Sequence, residues 1–189
     1  GYSTGELTTA VNNKPCSFKV ETIDSSAELR TGGVVGGSAA KVTGTNNGAV
    51  TMVPGGKAVM IVGGVAGWTG TAIEYADCVN TGAVTAKSDV KISNQLFVSG
   101  IVGRVTKAVS VNDCANSGTI SIDVPLGTGD TANANLSGIT SSSDQNQTIT
   151  GCSNTGDLVS NMPCNAMRVG GIAGYNGGGS KCTGCSADC

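Results

Sequence analysis

Four times along this chain a glycine is followed, fourteen residues later, by a cysteine: Gly64 and Cys78, Gly100 and Cys114, Gly138 and Cys152, Gly171 and Cys185. Each glycine ends a small-residue pair inside an apolar block. The blocks are Val62-Gly63-Gly64-Val65-Ala66-Gly67, Val98-Ser99-Gly100-Ile101-Val102-Gly103, Leu136-Ser137-Gly138-Ile139-Thr140-Ser141 and Val169-Gly170-Gly171-Ile172-Ala173-Gly174. The first three cysteines open a Cys-x-Asn-x-Gly turn: Cys78-Val79-Asn80-Thr81-Gly82, Cys114-Ala115-Asn116-Ser117-Gly118 and Cys152-Ser153-Asn154-Thr155-Gly156. A fixed interval is what stacked strands demand, because a one-residue slip turns the inside face out. After the first copy, length varies only between the turn and the next block, where a repeat can loop out.

The repeats start near residues 31, 62, 98, 136 and 169. The first copy, from Gly32-Gly33-Val34-Val35-Gly36 to Asn46-Asn47-Gly48, is three residues shorter, and Gly44 takes the place of the cysteine. Three rows of residues are expected to point inward. One is Val84 and Ala86 with Ile120, Ile122 and Leu158; the second is Tyr75, Val111 and Ile149; the third is Val65, Ile101, Ile139 and Ile172. Three strand segments per repeat predict an all-β fold, a right-handed, three-sided parallel β-helix (β-solenoid) of about five coils. At about 4.8 Å per coil the stack is roughly 24 Å long. Composition agrees: 30 glycines and 3% aromatics leave a core of Val, Ile, Leu and Ala. Residues 31–189 form the solenoid, and residues 1–30, which do not match the repeat, are expected to be an N-terminal cap or arm.

Asn80, Asn116 and Asn154 are expected to stack as a ladder whose amides satisfy the turn backbone. Gly82, Gly118 and Gly156 are expected to take φ > 0. Eight cysteines in a chain without histidine read as disulfide partners in an oxidising compartment. Cys78, Cys114, Cys152 and Cys185 share one position on successive coils, where parallel Cβ vectors fit a disulfide dihedral poorly. The alternative there is a row of buried free thiols. Cys16, Cys164, Cys182 and Cys189 lie outside that row, and Cys182 and Cys189 could staple the last coil. The pairing stays open among 105 connectivities. Cys182-Thr183-Gly184-Cys185 has CxxC spacing, but no second CxxC accompanies it, and no metal or cofactor is expected.

The Gly-Gly-Ile-Ala-Gly blocks and Cys-x-Asn-x-Gly-x-Val turns resemble the GLUG-type repeats of secreted and cell-surface proteins, over roughly residues 31–189. The resemblance implies an extracellular spacer or adhesive segment and brings no catalytic residues with it. The chain departs from the pattern at Gly44 and at Cys189, which stands where the turn glycine belongs.

Function classes separate on what the sequence lacks. With 11 basic and 13 acidic residues and no basic run, it lacks the footprint of a nucleic-acid binder. No apolar run reaches the roughly 20 residues of a membrane-spanning helix. The chain opens on Gly1, which predicts a processed or engineered N-terminus. Glycan-cleaving β-helices need paired carboxylates. Asp77 and Asp113 precede their cysteines on neighbouring coils, but Gly151 and Gly184 hold that place on the next two, which reads as a turn. Thr43, Thr45, Thr69 and Thr71 do not recur on later coils, so an ice-binding array is not expected. Trp68 and Tyr175 follow their glycine blocks at equivalent positions, where other coils carry Arg104 and Ser142. They are the residues a glycan-binding face would use. Asn135-Leu136-Ser137 and Asn146-Gln147-Thr148 are acceptor sequons for N-glycans in a eukaryotic source. The expected function is that of a non-enzymatic extracellular structural protein whose open coil ends template a head-to-tail homopolymer. The alternative is a monomeric cell-surface adhesin or glycan-binding module. A polysaccharide-degrading enzyme is the remote third.

Overall fold

The computed structural model describes residues 1–19, 27–53, 56–87, 92–125, 133–162, 164 and 166–189. Among these there is no helix, and every strand pairing is parallel. The chain winds as a β-solenoid of about five turns, as the repeat predicts.

Each coil contributes to four sheets, where three strand segments were expected. The first sheet stacks Glu28–Gly32, Val59–Gly63, Leu96–Ser99, Asn133–Ser137 and Ala166–Gly170. The second stacks Tyr2–Ser3, Val35–Ser38, Ala66–Thr69, Val102–Val105, Thr140–Ser143 and Ala173–Asn176. The third holds the cysteine and asparagine rows, and the fourth follows the turn with Val50–Val53, Val84–Lys87, Ile120–Asp123 and Leu158–Ser160. The extra side arises inside the glycine block. Gly64, Gly100 and Gly138 sit at a bend that divides one expected strand between the first and second sheets. Apolar residues before the bend give the inward row missed in the sequence: Met60 and Val62, Leu96 and Val98, Ala134 and Leu136, all at most 1% exposed.

The interior is two apolar columns. One, between the first and fourth sheets, contains Met52, Met60, Leu96, Ile120, Ile122 and Leu136. The other, between the second and third, contains Tyr75, Ile101, Val111, Ile139 and Ile149. Full burial of such a side chain contributes about 1.5–3 kcal/mol, and successive coils repeat the contribution. All three expected inward rows lie in these columns, with Leu158 and Ile172 only partly buried against them.

The third sheet explains the short first repeat. In coils 2 to 4 its strand is broken in two, as in Glu74–Ala76 and Val79–Asn80, around a residue with positive φ. That residue is Asp77 (φ 52°), Asp113 (φ 52°) or Gly151 (φ 63°). Coil 1 lacks it, so Val42–Asn46 runs unbroken and pairs with both halves in coil 2, Val42 with Tyr75 and Thr45 with Val79. One of the three missing residues is therefore this bulge. The other two come from the connection between Ser38 and Val42, since Ser38 is in register with Thr69.

The N-terminal residues also join the stack. Tyr2–Ser3 pairs with Gly37 and Ser38, Leu7–Asn12 with the Val42–Asn46 strand, and Cys16–Lys19 with Val50–Val53. Residues 1–19 thus form an incomplete coil seated on coil 1; residues 20–26 of the expected cap lie outside the described residues.

Candidate functional site

The asparagine row is a structural spine. Asn80 Nδ2 donates to Asn116 Oδ1 at 2.6 Å, and Asn116 Nδ2 to Asn154 Oδ1 at 2.6 Å. Each amide also donates within its own turn, to the carbonyls of Gly82 (2.8 Å), Gly118 (2.9 Å) and Gly156 (3.0 Å). Two further rungs precede these: Asn12 donates to Asn46, and Asn46 to Asn80, both at 2.7 Å. Asn46 was within sight in Asn46-Asn47-Gly48; Asn12 had no glycine to mark its turn. The turn glycines correct one expectation. Gly82, Gly118 and Gly156 do not have positive φ. They are required because a Cβ would strike the carbonyl of the equivalent glycine one coil back.

The eight cysteines are free thiols, which corrects the disulfide reading. Cys78, Cys114 and Cys152 are at most 1% exposed. Each sulfur lies behind the bulge, against the carbonyl two residues back and one from the preceding coil. For Cys152 these are Thr150 and Val111, both at 3.4 Å. Stacking brings the Cys114 thiol against the thiols of Cys78 and Cys152 on the neighbouring coils. The neighbouring thiols of Cys152 and Cys78, with burial, push the Cys114 thiol well above its ordinary range. Cys16, Cys164 and Cys185 are half-buried, and Cys182 and Cys189 exposed. Burial, and then contact with Cys185, raises the Cys182 thiol to about 11. Asp77 and Asp113 are exposed bulge residues, not a buried carboxylate pair. The two sequons part company: Asn146 is exposed, whereas Asn135 is 4% exposed within a central strand and cannot carry a glycan on the folded chain.

The built feature on the surface lies in the angle between the first and second sheets. Register brings Arg30, Ile61, Phe97, Asn135 and Arg168 into one row on the first sheet. It brings Gly37, Trp68, Arg104, Ser142 and Tyr175 into another on the second. Trp68 and Tyr175 do share one row, three coils apart, but their surroundings differ. The Arg30 guanidinium lies 3.5 Å from the centre of the Trp68 ring and covers it. Tyr175 is 42% exposed, with the Arg168 guanidinium 4.9 Å from its ring centre.

Between these ends is a cleft of about 260 Å³, lined in part by Phe97, Arg104, Asn133, Asn135, Arg168 and Tyr175. Arg104 spans its floor, 5.1 Å from the Phe97 ring centre. It is ion-paired to Glu28 at 2.6 Å and to Asp144 at 3.1 Å. The Oδ1 atoms of Asn133 and Asn135 are buried and have no hydrogen-bond partner among the described residues, a cost of about 1–3 kcal/mol each that a donor would relieve. An aromatic floor, amide acceptors and guanidinium donors suit a polyhydroxylated ligand. Asn133, Phe97 and Arg168 carry no sequence signal, and Asn135 only that of a sequon, because residues 33 to 38 positions apart become neighbours only once register is known.

No protein-family model, no curated protein and no solved structure matches this chain.

Proposed function

We propose that this chain is a non-enzymatic structural module of an extracellular surface whose lateral cleft holds a saccharide. The observation that carries the reading is the pair of unpartnered amide oxygens, on Asn133 and Asn135, in a cleft that also contains Phe97 and Tyr175. Sugar hydroxyls donate to such oxygens, and the C–H face of a pyranose packs on aromatic rings. The carboxylates beside the cleft, Glu28 and Asp144, are both engaged by Arg104, an arrangement suited to positioning rather than to proton transfer. The extracellular setting is supported by the likeness to GLUG-type repeats. Titration of the protein with neutral and acidic oligosaccharides tests the proposal. Saturable binding, weakened about tenfold by Tyr175→Ala, is expected, with the oligosaccharide recovered intact. Absence of binding, or cleavage of the sugar, overturns it.

A second reading, end-to-end assembly with further copies, has its own observation. Val169 is 54% exposed, although Val62, Val98 and Leu136 in the same row are fully buried. The strands of residues 166–187 stand at the edge of their sheets, the position at which a further coil pairs. Electron microscopy of concentrated protein should then show filaments that Val169→Glu abolishes; monodisperse 18.5 kDa particles would sink this reading.

A further inference from the structure

We infer that the saccharide held in the cleft is an acidic one, a uronic-acid unit whose carboxylate is taken by Arg168; the inference rests on the saccharide reading above. Three arginines lie along the angle between the first and second sheets, two of them, Arg104 and Arg168, in the cleft itself, and two of the three are spent. Arg30 is paired to Glu28 at 2.6 Å and stacked on Trp68. Arg104 is held by Glu28 and Asp144. Arg168 is exposed, rests over Tyr175, and has no ion pair among the described residues. Among the described residues, the three guanidinium charges against two carboxylates leave one positive charge uncompensated, and it sits on Arg168.

Position narrows the ligand further. Arg168 is in register with Asn135, and Ala166 with Asn133. The strand that carries Arg168 therefore lies one coil, about 4.8 Å, from the strand that carries Asn133 and Asn135, whose amide oxygens lack a donor. A ligand satisfying both must bring a planar anion for the guanidinium and a hydroxyl donor for an amide oxygen of the neighbouring coil. A uronate offers both across a single pyranose ring, its carboxylate accepting two parallel N–H bonds from the guanidinium fork. The ring's C–H face then meets Tyr175, the exposed aromatic of the cleft. A neutral sugar would fill the amide positions and leave the Arg168 charge unanswered. An acidic peptide would answer the charge and bring few hydroxyl donors to the amides.

Calorimetric titration with trigalacturonate, with the neutral galactose trisaccharide of the same linkage, and with hexaglutamate distinguishes these cases. Trigalacturonate is expected to bind at least about tenfold more tightly than the neutral trisaccharide. Arg168→Gln should remove that preference, bringing the two trisaccharides to the same affinity, while Arg168→Lys keeps part of it. Raising salt from 50 to 500 mM should weaken only the acidic ligand. Equal binding of the two trisaccharides, or an unchanged preference in Arg168→Gln, overturns the acidic ligand and leaves the saccharide reading standing. Hexaglutamate binding as tightly as trigalacturonate, or binding of neither sugar, overturns both. Arg168 and Tyr175 are exposed, so neither variant threatens folding; an unchanged thermal midpoint confirms that for each.

Discussion

Asn116 accepts from Asn80, donates to Asn154 and donates to the Gly118 carbonyl, all in a site 2% exposed to solvent. Asn116→Ala removes three hydrogen bonds and strands a buried donor above and an acceptor below. We expect a loss of about 3 kcal/mol in chemical denaturation. Ser137 gives the opposite case. Its hydroxyl is fully buried without a partner, so Ser137→Ala should be neutral or stabilising by up to about 1 kcal/mol. The same change erases the Asn135 sequon, and the mass of protein expressed in a eukaryotic host should not fall by a glycan. The asparagine spine was legible because its spacing from the cysteine is fixed. The reason for the turn glycines was not, since the carbonyl that excludes a side chain there belongs to another coil.

Within a coil, the bulge of the third sheet governs both the strand break and the thiol behind it. Asp113 holds φ 52° where the next coils have Gly151 and Gly184 at 63° and 62°. Aspartate tolerates the left-handed region; a β-branched residue does not. Asp113→Gly should leave stability within about 1 kcal/mol, whereas Asp113→Val should cost about 2 kcal/mol. A stability loss in the glycine variant as large as in the valine variant would contradict the backbone explanation. The thiols give a second test. Cys78, Cys114 and Cys152 should resist alkylation until the chain unfolds, while Cys182 and Cys189 are within reach of reagent in the native state. Because the Cys182 thiol is raised to about 11, its modification rate should climb as pH approaches that value and its thiolate forms. Mass spectrometry of timed alkylation reads both. Fixed intervals announced the strands, but not the fourth side, because a bend inside an apolar block leaves the apolar pattern uninterrupted.

Across the molecule, stability is graded along the stack. Coils 2 and 3 bury their inward rows fully, coil 4 all but Leu158, while strands of residues 166–187 are half-exposed or exposed throughout. Nearest-neighbour coupling then predicts opening from that end inward. Amides of Leu96–Ser99 should exchange slowest and those of Ala166–Gly170 much sooner; uniform exchange along the chain would contradict this. The stack was readable from one repeated spacing, whereas the cleft was not, because it is assembled from single positions on four coils whose residue types differ. The asparagine spine has a consequence for how such a chain can change length. Every amide from Asn46 to Asn116 accepts a hydrogen bond from the coil behind and donates one to the coil ahead, and the row ends at Asn154, whose register partner is Ala187. A coil is therefore a self-consistent cassette. Duplication or loss of one whole coil in the gene reconnects donor to acceptor without any compensating substitution, whereas a partial duplication leaves a broken joint in the spine. Chain length in such a protein can evolve in whole-coil steps.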